Sequence, residues 1–376
     1  MTEELEQFLL ATETLDPAWR GAFRAVPRAD YLPDVIWPFT PEDDRRRVDR
    51  AADPDAWARW AEADVPITVQ WDDGATAEAG EVYTSSASMP SLVAAMLRDL
   101  DSRPGMRVLE IGTGTGWNAA LLCERLGAEA VTTVEVDASL AERARARLRA
   151  AGYRPVVVAG DGLAGCPDRA PYDRVIATVG VRAVPVAWID QTRPGGVILA
   201  PWGTHFSTHD ALARLVVAAD GSASGQFTGP AQFMKARSQR RAWPDHEEYV
   251  RTGDSTAMRT DLDVADLFDP GYGGTGMLLG LLVPDAVHNA RDGKVWLYGL
   301  TDHSWAAAVT EDGTTSAYQG GPRRLWEEVE AAYRWWLAQG SPGVDRFGLT
   351  VHPDGTHEVW LDTPDHPVSQ PVGASR

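Results

Sequence analysis

Short apolar runs alternate with longer stretches of helical spacing along much of this chain, most regularly between residues 81 and 236. Val93, Met96, Leu97 and Leu100 recur at i, i+3, i+4 and i+7, which predicts a helix with one buried face. Pro90 suits its first turn, and Ser88 is placed to cap it. An apolar strand from Val108 then breaks into glycines and gives way to a helix from Trp117 to Leu126. A strand Ala130–Val134, a helix through Leu140, Ala144 and Leu148, and strands at Val156–Ala159, Arg174–Thr178 and Val197–Leu199 continue the alternation. Such an alternation implies the α/β class: a Rossmann-like, doubly wound, mostly parallel sheet covered on both faces. Leu212–Ala218 and Gln226–Met234 are expected to add edge strands.

The flanks are patterned differently. Residues 1–80 begin with an amphipathic segment, include a strand-like run Pro66–Trp71, and carry the triplet Arg45-Arg46-Arg47, which reads as a solvated face. Residues 237–376 hold short β-like runs at Lys294–Tyr298 and Ser304–Val309. A helix over 322–339 follows, with Leu325, Val329, Ala332 and Trp336 on one face. Phe347–His352 and His357–Asp362 then form a hairpin around Pro353-Asp-Gly355. Three sections are therefore expected: an N-terminal segment (1–80) packing on the core, the catalytic core (81–236), and a smaller α+β C-terminal domain (237–376) for a substrate or partner.

Composition narrows the classes. The chain has 376 residues, and 35 basic against 54 acidic residues give a net charge of −19. That balance repels nucleic acid and anionic membranes and permits attraction of a basic peptide. No apolar stretch reaches the length of a membrane span, and the start Met1-Thr-Glu-Glu is acidic where a targeting peptide would not be. A cytoplasmic enzyme is the expectation. Cys123 and Cys166 have neither disulfide nor metal spacing, and Cys123 falls in an apolar helix as a core residue.

The chemistry concentrates at Val108-Leu-Glu-Ile-Gly-Thr-Gly-Thr-Gly116. Alternate glycines at a strand-to-helix switch let the backbone turn tightly and approach a nucleotide. Gly114, Gly116 and Ala119 also fit a dinucleotide pattern, so an NAD site stands as an alternative, and a purely structural turn is the plainest reading. Three acids favour S-adenosylmethionine. Glu110 precedes Gly112, Thr113 and Gly114 where a carboxylate can reach a cationic ligand. Glu135 closes the next strand and can accept from ribose hydroxyls, and Asp161 with Gly162 follows the third run, where an adenine amino group can be read. The Lys-Ser or Lys-Thr that a phosphate loop needs is replaced by Trp117-Asn118.

From about Ala22 to Arg237 the chain resembles the protein-L-isoaspartate O-methyltransferases. The matching text is Val26-Pro-Arg-Ala-Asp-Tyr-Leu-Pro33, Ser86-Ala-Ser-Met-Pro-Ser-Leu-Val-Ala-Ala-Met96, Val108 to Gly116, Gly160-Asp-Gly162, Ala170-Pro-Tyr-Asp173 and Gly195-Gly-Val-Ile-Leu-Ala-Pro-Trp-Gly203. The resemblance implies a class I methyltransferase fold and places Ser88 beside the methyl-accepting carboxylate. It puts Glu110, Gly112, Gly114 and Glu135 on the cofactor, and Asp161 and Gly162 on its adenine. Thr84, Ser85 and Ser86 are neighbouring alternatives for the catalytic hydroxyl; Ser86, Thr178 and Arg237 are taken as substrate-binding. The common repair enzymes stop near residue 237, and related enzymes with an extension are associated with ribosomally synthesised, often macrocyclic peptides such as graspetides and lanthipeptides. The resemblance so implies methylation of an aspartate side chain whose ester closes to an aspartimide. Repair of isoaspartyl sites in damaged proteins is the alternative; a noncatalytic binding module and a dehydrogenase remain as weaker readings. No metal is expected: His205 and His209 stand at i and i+4, but nothing nearby completes a ligand set. Arg237, Arg240 and Arg241 suit either an anionic peptide or solvent, and Trp305, Trp335 and Trp336 read as core.

Overall fold

A computed structural model describes residues 1–40, 43–250, 255–268 and 275–368. The chain forms two compact units, one of residues 1–179, 185–200 and 214–223, the other of residues 180–184, 201–213 and 224–376.

The first unit opens with helical segments and four short strands: β1 (Val35–Pro38), β2 (Val48–Asp49), β3 (Ile67–Trp71) and β4 (Tyr83–Ala87). They form an antiparallel sheet in the order β2-β1-β3-β4. Ile36, Val48, Trp57, Ala61, Ile67 and Ala87 pack into a core of its own. The arginine of the Val26-Pro-Arg28 motif is buried here. Its guanidinium donates to the carbonyls of Trp60, Ala61, Ala63, Val65 and Ser88 at 2.7–3.2 Å. Burial lowers its pKa to about 10, so it stays charged, and five carbonyl dipoles replace the water it gave up. The triplet Arg45-Arg46-Arg47 meets acids at the surface: Glu81, Asp43, Asp49 and Glu78.

Five parallel strands follow: β5 (Val108–Ile111), β6 (Val131–Glu135), β7 (Val156–Ala159), β8 (Tyr172–Ala177) and β9 (Thr192–Trp202). Their order is β7-β6-β5-β8-β9, so the winding reverses beside β5, where open α/β sheets bind ligands beyond the strands' carboxyl ends. The central strands β5 and β6 are buried throughout, while β7, an edge strand, is half exposed. The helix Pro90–Leu100 buries Val93, Met96, Leu97 and Leu100 as its spacing predicts. Its cap differs from expectation. Met89, not Ser88, occupies the N-cap, and Asp64 accepts from the N–H of Ser91 at 2.8 Å. A carboxylate from the preceding β-sheet region outcompetes the local serine for that donor.

Next in the chain come β10 (Asp210–Val217) and β11 (Ala223–Ala231); the second unit then holds five antiparallel strands: β12 (Thr256–Thr260), β13 (Ala286–Arg291), β14 (Lys294–Gly299), β15 (Trp305–Glu311) and β16 (Thr314–Gly320). The five run in the order β12-β16-β15-β14-β13. The helix Leu325–Ala338 lays Leu325, Trp326, Val329 and Ala332 into a core with Val295, Leu297, Ala306 and Ala308. The hairpin β17 (Phe347–Val351) and β18 (His357–Leu361) pairs at Val351–His357 around the expected turn. β17 lies beside β11, so β11 is not the edge its sequence suggests; a hairpin over a hundred residues further along covers it. The stretch holding His205 and His209 is irregular rather than helical, so their spacing does not make a pair on one face. No cluster of potential metal ligands occurs among the described residues.

Candidate active site

The glycine loop leaves β5 at its carboxyl end. Gly112 has φ +95° and Gly114 φ +54°, left-handed conformations that a side chain resists. A Cβ on Gly112 would lie 2.9 Å from Thr178 Oγ1, so the loop is also closely fitted. The N–H of Gly112 donates to the carbonyl of Val134 at 2.8 Å, and that of Gly116 to Thr113 at 2.9 Å. Glu135, at the end of β6, spans the loop: one oxygen accepts from the N–H of Gly114 at 2.8 Å, the other from that of Asp137 at 3.1 Å.

Glu110 does not face the ligand side directly, and here the sequence expectation needs correction. It is fully buried beneath the loop, accepting from Asn118 Nδ2 at 2.7 Å and from Thr133 Oγ1 at 2.5 Å. Thr113 and Thr133 share a hydrogen bond at 2.6 Å. With Glu110 ionised, the proton of Thr133 goes to the carboxylate, so the hydroxyl of Thr113 donates to Thr133. Burial pushes the Glu110 pKa up to about 7 against these stabilising bonds. Glu110 and the Thr113 side chain are therefore braces that hold the loop's shape from below. The acid was legible as a motif letter; the direction of its carboxylate depends on Asn118 and Thr133, which the strand pattern does not single out.

The third run joins the same site. The N–H of Gly160 donates to the carbonyl of Glu135 at 2.9 Å. Gly162 is buried so tightly that a Cβ would lie 2.5 Å from Ile111 Cγ2. Asp161 is exposed, with one oxygen accepting from the N–H of Leu163 at 3.0 Å. Thr178 directs its hydroxyl at the carbonyl of Gly112 at 2.5 Å, so it buttresses the loop and retains only lone pairs for a substrate.

The serine run meets the loop from the other side. A Cβ on Gly114 would lie 3.6 Å from the carbonyl oxygen of Ser86 and 3.8 Å from Ser85 Oγ. Along β4 the buried residues are Ser85 and Ala87, with Ser86 and Ser88 half-buried. The hydroxyl of Thr84 is engaged with Gln70 and the N–H of Asp73. Ser88 has its carbonyl held by Arg28 at 3.0 Å, while its hydroxyl makes no hydrogen bond among the described residues. Arg28 is thus a positioning residue that sequence reasoning recorded only as a motif letter. A second feature it missed is a cavity of about 270 Å³ between β3 and the helix Ala138–Ala150, lined by Trp37, Gln70, Trp71, Asp137 and Arg143. Gln70 donates to Asp137 there at 3.0 Å. Arg237, the remaining substrate candidate, belongs to the second unit, in a turn Arg237–Gln239.

These residues fit an adenosyl sulfonium ligand. The glycines leave a cradle that a Cβ would fill, Glu135 is an acceptor-only group suited to a ribose diol, and Asp161 is open to solvent. A family model described as protein-L-isoaspartate(D-aspartate) O-methyltransferase matches residues 56–241. The protein-L-isoaspartate O-methyltransferase of Pyrococcus horikoshii is 35% identical over 181 residues, 48% of this chain and 76% of that protein. The enzyme of the same name from Thermococcus onnurineus is 37% identical over 178 residues, 47% of this chain and 74% of its own. A solved structure of a protein-L-isoaspartate O-methyltransferase superposes with a TM-score of 0.55 at 22% identity, covering 96% of this chain and 100% of that one. At that identity the likeness is one of fold, and its coverage takes in the C-terminal third.

Proposed function

The chain belongs to the protein-L-isoaspartate O-methyltransferase family, and on that footing we propose that it methylates an aspartate side chain of a ribosomally synthesised peptide. It is an S-adenosylmethionine-dependent carboxyl O-methyltransferase of protein or peptide substrates. The observation that carries the reading is the approach of Ser85 and Ser86 to Gly114, which sets the serine run that ends in Ser88 beside the donor loop. When bound, the sulfonium supplies an electrophilic methyl group. A carboxylate with a pKa of about 4 is already ionised near neutral pH, so the chain need not provide a general base. Ser88 donates to one carboxylate oxygen and leaves the other to attack, while Arg28 fixes the Ser88 backbone. Proximity and alignment are the main contributions, as expected for an in-line displacement that neutralises charge. In the product peptide, the following backbone nitrogen attacks the ester carbonyl, loses its proton and expels methanol, which closes an aspartimide.

The peptide preference is supported by a second unit with its own hydrophobic core and a basic stretch, Lys235–Arg241, in an acidic chain. In this reading residues 1–80 pack on the catalytic core of 81–236, and residues 237–376, with Arg237, receive the substrate. Repair of isoaspartyl residues is the second reading. It is favoured by the names of the relatives. Mass spectrometry separates the two. Incubation with S-adenosylmethionine and a precursor peptide encoded beside the gene is expected to add one methyl group and then lose methanol. Methylation of unrelated isoaspartyl peptides, with none of any encoded precursor, would overturn the first reading and establish the second.

A further inference from the structure

Arg182, in the second unit, is half-buried, and two of its three guanidinium nitrogens have nothing to donate to among the described residues. Its Nε and Nη1 are shut away from solvent with no acceptor among the described residues. Its surroundings are well tied down. Gly180 and Ala236 exchange backbone bonds with Met234 and Gly180 at 2.9 Å, the N–H of Arg182 donates to Gln239 Oε1 at 2.6 Å, and that of Val184 to His357 Nε2 at 2.9 Å. Two buried guanidinium nitrogens on so fixed a segment, with no acceptor among the described residues, are uncommon in a folded protein.

The local charge is unbalanced in the same direction. Lys235 and Asp210 form a buried ion pair, and Arg182 lies within electrostatic reach of both. Asp210 attracts both cations without hydrogen-bonding to Arg182: one oxygen is taken by Lys235, and the other is buried with no hydrogen bond among the described residues and faces Gly203. A buried lysine and a half-buried arginine therefore share one carboxylate. Arg241, which is exposed, adds a further positive charge within reach of Arg182. The stretch Lys235-Ala-Arg-Ser-Gln-Arg-Arg241 has four cations and no acid in a chain of net charge −19. Such a local excess of positive charge, part of it withdrawn from solvent, is stabilised by an anion.

We propose that Arg182, with Lys235 and Arg241, binds a carboxylate of an acidic segment that flanks the methylated residue of the peptide substrate. The inference rests on the peptide-substrate reading above. A peptide fits better than a nucleic acid, because the strongly negative chain repels a polyphosphate at long range while a short acidic segment reaches the local site.

The test uses the full chain and a fluorescein-labelled pentaglutamate peptide, read by polarisation at low ionic strength with pentaglutamine as control. Binding of pentaglutamate alone is expected. Arg182→Gln is expected to weaken it about tenfold or more, as loss of a charge-assisted contact does. Arg182→Lys should fall between, and the Tm of Arg182→Gln should not drop, because its buried nitrogens have no hydrogen bond among the described residues to lose and one of two cations remains to pair with Asp210. A merely structural arginine would instead lower Tm and leave binding alone. If Arg182→Gln fails to fold, Arg241→Gln, at an exposed position, is expected to weaken binding severalfold. Unchanged affinity in the variants that fold overturns the site. So does displacement of the peptide by inorganic phosphate where acetate at equal ionic strength has no effect. Methyl transfer by the parent protein to the encoded precursor peptide, followed by methanol loss, tests the underlying function separately.

Discussion

The glycine loop of the first unit and the Gly180–Val184 segment of the second differ in how they match their charged groups. Under the loop, both oxygens of Glu110 are matched by Asn118 and Thr133, Thr113 is matched by Thr133, and Glu135 holds two backbone N–H groups. Around Arg182, two guanidinium nitrogens and one oxygen of Asp210 are unmatched. The first arrangement leaves one buried atom, Asn118 Oδ1, without a partner among the described residues, but every carboxylate oxygen in it is engaged, so it presents a ligand with a preformed surface and little ordering is left to offset on binding. The second reaches charge balance only when an anion enters. One region is built for a ligand that always has the same shape, the other for a partner recognised by charge.

The contrast is most sharply tested at Asp210. Asp210→Asn removes the sole carboxylate in the buried Lys235 pair and leaves two cations facing each other. Breaking a buried pair on one side costs about 3–5 kcal/mol, and chemical denaturation is expected to show a loss of that size. A loss below about 1 kcal/mol would mean the pair is solvated and the unmatched count is misleading.

Glu110 gives the next largest effect, with a pH signature. Its pKa in the folded protein is raised from 4.5 to about 7. Between those values the folded state binds more protons than the unfolded one, so this group's contribution to stability falls as pH rises from about 4.5 to about 7, then levels. The full loss is about 3 kcal/mol. Glu110→Gln cannot ionise, so its stability relative to the parent is expected to improve steadily from pH 5 to pH 8 in urea titrations. A difference that does not change with pH would place Glu110 in a more polar setting than its burial indicates. Gly112→Val acts on binding instead. At φ +95° and against Thr178, a β-branched residue strains the loop by about 1–3 kcal/mol. Calorimetry should register a fall of about 10- to 100-fold in affinity for S-adenosylmethionine.

The two regions also differ in how much of them the sequence discloses. The helix Pro90–Leu100, the loop and the helix Trp117–Leu126 are written in consecutive letters, because each is set by local spacing and by glycine's backbone freedom. The turn at Pro353-Asp-Gly355 is legible for the same reason. The direction of Glu110, the buried role of Arg28 and the cluster of Arg182, Asp210 and Lys235 are not. Each depends on partners brought together by tertiary packing: Arg28 finds Ser88 sixty residues away, and Lys235 finds Asp210 across twenty-five. Charge type is readable letter by letter, whereas satisfaction of that charge is a property of the fold. The covering of β11 by β17 is hidden for the same reason.

The smallest effects separate catalysis from capping at one helix end. Ser88 and Asp64 both lie at the start of Pro90–Leu100, and sequence alone assigns the cap to Ser88. In the structure Asp64 caps the N–H of Ser91 and the Ser88 hydroxyl is left over. Ser88→Ala should therefore leave Tm and cofactor affinity near those of the parent and lower kcat about 10- to 100-fold, the worth of one hydrogen bond to a charged group. Asp64→Ala should do the reverse, lowering stability by about 1 kcal/mol with a much smaller change in kcat. If Ser88→Ala lowers Tm instead and kcat holds, the serine is a structural cap after all. The catalytic hydroxyl must then be sought at Ser85, whose oxygen already lies against Gly114.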